Sequence, residues 1–254
     1  MKKQGFNVVI TGASSGIGKA LAYQFAKKGC NLFLTGRQEN NLEQIKREIQ
    51  TKYAVKVFCF VKDLLEENSE LEIYKESIAV FERIHVFVNN AGVGYVGDFL
   101  KVDYDKYKEI QKINMESVTK LLYLYGEHMK EKRGGYILNV ASTGAFHPGP
   151  YISVYYATKA YVLSLSEALY KEWKKDGITV SALCPGATKT GFSKYAGRKE
   201  NKIAMSANFV AKKAVIGLFK NKRVIIPGII YKIFIKIPGF IVSGFIGRYN
   251  NSAK

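Results

Sequence analysis

The chain has 254 residues, 47% of them hydrophobic and 24% charged, and carries a formal net charge of +18. This length and apolar share suit one α/β domain with a sizeable core and exclude a disordered, collagenous or disulfide-stapled chain. The charge is uneven: 14 Lys/Arg stand against one acid, Glu200, from Gly177 onward, so +13 of the +18 lies in the last third.

In chain order, Val8-Val9-Ile10 is a short apolar run that reads as a buried strand. Met1-Lys2-Lys3 before it is basic, but the run is too short for a signal peptide and belongs to the fold. It enters Thr11-Gly12-Ala13-Ser14-Ser15-Gly16-Ile17-Gly18, and a helical pattern covers 17–28. Strand, Gly-rich turn and helix in this order is the setting of a dinucleotide-binding turn, where glycines admit a pyrophosphate and the helix N-terminus favours its charge. Alone, it could equally be a structural connection. A second strand, Asn31 to Thr35, ends in Gly36-Arg37. Helix 40–52, strand 56–61 with Asp63 just beyond it, and helix 67–82 follow. Strand 85–88 runs into Asn89-Asn90-Ala91-Gly92. One long helix is expected over 104–132, then strand 136–140, helix 154–175, strand 179–184, helix 207–220 and strand 223–226. Strands alternating with helices imply right-handed βαβ units and a parallel sheet.

Three residues near the middle carry chemistry. Tyr155 and Lys159 are four apart, hence one turn apart on one helix face. A phenol titrates near ~10, and a fixed cation beside it lowers that value toward useful acid/base work. Ser142, at the end of the strand Tyr136 to Val140, could hydrogen-bond a substrate oxygen. Such a set suits proton transfer to or from an alcohol or carbonyl. Tyr156 competes with Tyr155 on the residues alone.

Thr11-Gly-x-x-x-Gly-x-Gly18, Asn89-Asn-Ala-Gly92, Asn114, Ser142, Tyr155-x-x-x-Lys159 and Pro185-Gly186 stand in that order. Over residues 5–227 this series resembles the short-chain dehydrogenases/reductases. The resemblance implies a single doubly wound Rossmann domain (1–227), with a central parallel sheet of about seven strands and helices on both faces, followed by an extension (228–254). It implies Tyr155 as general acid/base, Lys159 on the nicotinamide ribose, Ser142 on the substrate oxygen and Asn114 holding a relay water. Gly12, Ser14, Ser15, Gly16, Ile17 and Gly18 would line the pyrophosphate. Asn90, Ala91 and Gly92 would border the adenosine and the central strand, and Asp63 the adenine. Pro185, Gly186, Thr188 and Thr190 would lie near the nicotinamide. No acid ends the second strand, where NAD users place one for the ribose 2′-hydroxyl, while Arg37 could pair with a 2′-phosphate. NADP(H) is therefore expected in preference to NAD(H). The expected enzyme is an oxidoreductase on a carbonyl/secondary alcohol pair; the alternative is a catalytically silent NADPH-binding regulatory protein.

The substrate segment would span Ala187 to Ala207, with Phe192, Tyr195 and Met205 as wall residues and Phe146, His147 and Tyr151 added from the loop after Ser142. That lining suggests a small apolar carbonyl compound: a lipid-like ketone, a 3-oxoacyl chain or a steroid-like molecule. A homodimer or homotetramer is implied by the resemblance. The basic last third could meet an anionic membrane surface or an acidic carrier protein; nucleic acid is disfavoured, because no recognition motif accompanies the charge. From Val224 to Arg248 the chain is strongly apolar, with Pro238 inside it and an uncharged run, Ile237 to Gly247, too short to span a bilayer. It could cap the pocket, bury itself in a dimer or lie in a membrane interface. Cys30, Cys59 and Cys184 show no metal or CxxC spacing and read as reduced core residues, and the scattered His85, His128 and His147 suggest no metal site. A cytoplasmic protein, at most peripherally membrane-associated, is expected.

Overall fold

The computed structural model describes residues 3–197 and 204–251. Seven strands form one all-parallel sheet: β1 (Asn7–Thr11), β2 (Asn31–Gly36), β3 (Val57–Val61), β4 (Val86–Asn89), β5 (Gly135–Val140), β6 (Ile178–Leu183) and, last in chain order, β9 (Val224–Ile225). Their order is β3-β2-β1-β4-β5-β6-β9. The order reverses between β1 and β4, and at such a switch point the connections leave toward opposite faces and open a crevice at the strands' carboxyl ends. A second, two-stranded parallel sheet pairs β7 (Thr188–Lys189) with β8 (Met205–Ser206).

The inner strands β2, β1, β4, β5 and β6 are largely buried on both faces, which is why they read as near-continuous apolar runs; the edge strand β3 leaves Phe58 and Val61 exposed. Val8 and Ile10 of β1 and Val86 and Val88 of β4 face one core, packed by α1 (Gly16–Ala26), α2 (Glu39–Lys52) and α8 (Ala207–Leu218). Val9 and Phe87 face the other, built on α3 (Ser69–Val80), α4 (Tyr104–Gln111), α5 (Ser117–Glu131) and α6 (Ser153–Glu172). Alternate residues of each strand thus enter opposite cores, as the period of two along a strand requires. In the second core Phe87 stacks on Tyr125 at 4.0 Å between centroids, and the buried Tyr125 hydroxyl meets Ser77 Oγ at 2.8 Å.

Where one helix was expected over 104–132, a π turn at Lys112–Glu116 separates α4 from α5. The buried Glu70 of α3 is hydrogen-bonded there by Ser117 Oγ (2.6 Å), with Lys112 Nζ at 3.2 Å. A short α7 (Phe192–Tyr195) precedes β8, and α9 (Ile229–Phe234) and α10 (Gly239–Asn251) form the extension. Among the described residues, no helix is long and apolar enough to cross a membrane.

Phe87 fills the centre of the second core, so Phe87→Ala should cost about 3–5 kcal/mol. Leu100→Ala, at a side chain 90% exposed, should change stability by less than about 0.5 kcal/mol. Urea titration of the two variants checks the contrast.

Candidate active site

The carboxyl ends of β1, β2, β4, β5 and β6 open into one cavity of about 680 Å³. Its floor is the turn after β1. Gly12 and Gly16 have φ of +62° and +54°, a region open to glycine at little cost. A Cβ on Gly18 would fall 2.2 Å from Gly12 O and 2.5 Å from Asn90 Nδ2, so only glycine lets the helix start this close to the turn. The turn thus has the close backbone approach that a dinucleotide pyrophosphate requires.

The turn is tied to β4 across the switch point. Asn90 Nδ2 donates to Thr11 O (2.8 Å) and Gly12 O (3.1 Å). Thr11 Oγ1 accepts the backbone N–H of Asn90 (3.0 Å) and of Ala91 (3.1 Å). Asn89 is buried and donates to Val118 O at 3.2 Å. The Asn-Asn-Ala-Gly run therefore satisfies backbone groups that the crevice would otherwise leave open.

Ser142 follows β5 and caps a single 3₁₀ turn, Thr143–Phe146, its Oγ accepting Gly144 N–H at 3.0 Å. A hydroxyl has one hydrogen, and this bond leaves it for another acceptor. Tyr155 lies in the first turn of α6, with its ring 5.1 Å from that of Phe192. Lys159, one turn on, is buried; its Nζ donates to Val140 O (2.9 Å) and lies 5.6 Å from the Tyr155 ring centroid. Burial pushes the Lys159 ammonium down to about 8, slightly offset by the Cys184 thiol. Asn114 sits in the π turn, fully buried. Its amide donates to Val93 O (2.8 Å) and Thr158 Oγ1 (3.0 Å), and its Oδ1 accepts Val93 N–H (3.0 Å). Gly92 fills the gap between them: a Cβ there would meet Lys159 Nζ at 3.1 Å and Asn114 Oδ1 at 3.2 Å.

Of the residues singled out in the sequence, Gly12, Ser14, Ser15, Gly16, Ile17, Arg37, Asp63, Asn90, Ala91, Gly92, Ser142, Tyr155, Lys159, Pro185, Gly186, Thr188 and Thr190 all line this cavity. Gly18 and Asn114 do not: Gly18 lies beneath the turn, and Asn114 lies behind Gly92. Arg37 is half-exposed, 3.6 Å from Asp63, with its guanidinium 5.8 Å from the Tyr195 ring.

On the substrate side Phe192 and Tyr195 line the cavity, whereas Met205, Phe146, His147 and Tyr151 do not. Phe146 packs into the second core instead, and His147 Nε2 pairs with Phe234 O at 3.2 Å. Residues 198–203 of the expected substrate segment lie outside the described ones. The sequence reading allowed the extension to cap the pocket but named none of its residues there: Tyr231, Phe234, Phe245, Ile246 and Tyr249 line the cavity. Their spacings of three and four were the available signal, obscured because almost every neighbour is apolar as well. Tyr195 also joins a second network missed in the sequence, donating to Glu109 Oε1 (2.6 Å) and accepting from Tyr95 OH (2.8 Å).

Glycine turn, Asn-Asn-Ala-Gly strap and Ser/Tyr/Lys group thus meet in one crevice, and a model of the short chain dehydrogenases matches residues 7–201. The chain belongs to the short-chain dehydrogenase family. It is 36% identical over 203 residues to human 17-beta-hydroxysteroid dehydrogenase type 3, covering 77% of this chain and 63% of that protein. It is 31% identical over 253 residues to human very-long-chain 3-oxoacyl-CoA reductase, covering 97% and 80%. Several curated relatives are longer, the match spanning only 56% to 63% of their length. Among solved structures, a short-chain dehydrogenase from Sphingobium yanoikuyae in complex with NADPH superposes with a TM-score of 0.84 at 30% identity, covering 88% of each chain.

Burial of Lys159 has a measurable consequence. Its folded value, about 8, lies below the ordinary 10.5, so between these pH values the unfolded chain holds a proton that the folded chain has released. Stability then rises with pH across that window. The stability deficit of the cofactor-free wild type against Lys159→Met should accordingly shrink by roughly 3 kcal/mol from pH 7 to pH 10.5. Urea titrations at both pH values test this; an unchanged deficit would refute the burial penalty.

Proposed function

We propose that this protein is an NADP(H)-dependent oxidoreductase interconverting a carbonyl and a secondary alcohol on an apolar substrate. The observation that carries the reading is one cavity lined by the glycine turn at one end and by Ser142, Tyr155 and Lys159 at the other. A bound nicotinamide would supply or accept the hydride. Ser142 directs its remaining hydrogen to the substrate oxygen and fixes it beside Tyr155. The Tyr155 hydroxyl gives that oxygen a proton on reduction and recovers it on oxidation. One hydrogen of the Lys159 ammonium is held by Val140 O; the other two serve a ribose hydroxyl and the tyrosine oxygen. Positive charge here favours the phenolate that forms when the proton leaves. Asn114 acts from behind Gly92, joining Val93 and Thr158 into one frame.

Arg37 supports NADP(H) over NAD(H). It lines the cavity at the end of β2, and the chain places no acid at that strand end. Asp63, its ion-pair neighbour, is itself engaged through Oδ1 by Leu65 N–H at 3.0 Å. An apolar substrate is supported by the Phe192, Tyr231, Phe234 and Ile246 walls and by relatives named for hydroxysteroids and 3-oxoacyl-CoA. A homodimer or homotetramer belongs to the same reading, on the family resemblance.

Tyr155→Phe should fold and bind NADPH normally while losing at least about a hundredfold in turnover of an apolar ketone. Near-normal NADPH consumption by the variant would sink the assignment. Arg37→Glu should weaken NADPH binding by about tenfold to a hundredfold and leave NADH affinity equal or improved, read by fluorescence titration with both cofactors. Equal losses for both would remove Arg37 from cofactor selection.

A further inference from the structure

The two helices of the extension have an inner and an outer face. Inward, Val242 is buried, Phe234 and Ile246 line the cavity, and Asn250 Nδ2 donates to Pro150 O at 3.1 Å. The His147 pairing with Phe234 O fixes α9 in the same way. Outward, Ile229, Ile230, Ile233, Phe240, Ile241 and Phe245 are 42% to 79% exposed. The inner-face contacts set the orientation, so these side chains cannot turn into the core.

Large exposed apolar side chains grouped on one surface mark a binding face. Charge decides the partner. Lys232 and Lys236 are exposed among these residues, and no Asp or Glu follows Glu200 in the chain. A two-fold contact would lay this face against itself and bring lysines toward lysines. Anionic lipid complements both features: apolar side chains enter the headgroup boundary, and the ammonium groups meet lipid charge. We infer that α9 and α10 dock the protein on an anionic lipid bilayer, lying in its interface without crossing it. Phe245 is 69% exposed and also lines the cavity, so the docked face adjoins the pocket mouth. If the reductase reading above holds, apolar substrate can pass between bilayer and pocket at this edge.

The test is sedimentation of the full chain with vesicles of phosphatidylcholine containing one fifth phosphatidylserine, at low and high salt. The wild type should pellet with these vesicles at low salt, less at high salt, and poorly with pure phosphatidylcholine. Lys232→Gln with Lys236→Gln should lower the partition roughly fivefold per lysine. Ile233→Ser with Phe240→Ser should abolish pelleting while circular dichroism and turnover of a water-soluble ketone stay unchanged, since neither residue lines the cavity. A wild type that stays in the supernatant at low salt overturns the inference. So does equal binding to neutral vesicles, or a dimer that the Ile233/Phe240 variant converts to monomer without any vesicle binding. Ketone turnover is read separately, so failure of the reductase reading would leave the vesicle result standing.

Discussion

Two parallel strands whose connections leave in opposite directions create a crevice, and the crevice exposes strand-end backbone groups that no ladder can satisfy. Everything at this site depends on closing that account between β1 and β4. Thr11 and Asn90 do so with four short hydrogen bonds. They leave the turn above them as bare backbone, which only glycines at 12 and 18 can bring so near. The same pair therefore ties the ends of β1 and β4 together beyond their ladder and supports the glycine turn. A side chain on either glycine would damage both at once.

The Ser142, Tyr155 and Lys159 side is organised by a second constraint, a buried cation. The Lys159 side chain is buried, and its ammonium donates to one carbonyl from β5. Its charge is destabilised there, so it is poised to gain from any acceptor or anion that enters. The π turn belongs to this arrangement. Its widened backbone carries Asn114, whose amide bridges Val93 and Thr158 on either side of the site. Wide turns of this kind concentrate at functional positions in helices.

Much of this was legible in the residues because it is written as short-range pattern. Val8-Val9-Ile10 and His85 to Val88 read as strands, and their alternation with helices implied a parallel sheet. Tyr155 and Lys159 lie on one helix face by spacing alone. The break at Lys112–Glu116 was invisible, because one extra residue in a turn barely disturbs a helical pattern read over 104–132. The two-residue strands β7 and β8 carry too few residues for any period. The faces of the extension were illegible for a different reason: where nearly every side chain is apolar, periodicity cannot separate an inner face from an outer one. The docking of Phe234 and Asn250 onto the loop at His147 to Pro150, with the burial of Val242, makes that distinction.

Helix α7 has a consequence of another kind. In one turn it sets Phe192 against Tyr155 and Tyr195 against Arg37, with Glu109 anchoring the latter. A single turn therefore touches both the Tyr155 end of the pocket and the Arg37 end. Any energy that an occupant of one end gains by settling this turn is available to an occupant of the other, and the exchange is equal in both directions. Under the proposed function, cofactor choice and substrate affinity would then be linked quantities. On that reading, exchanging Arg37 to redirect cofactor use would also reach the substrate end through its contact with Tyr195.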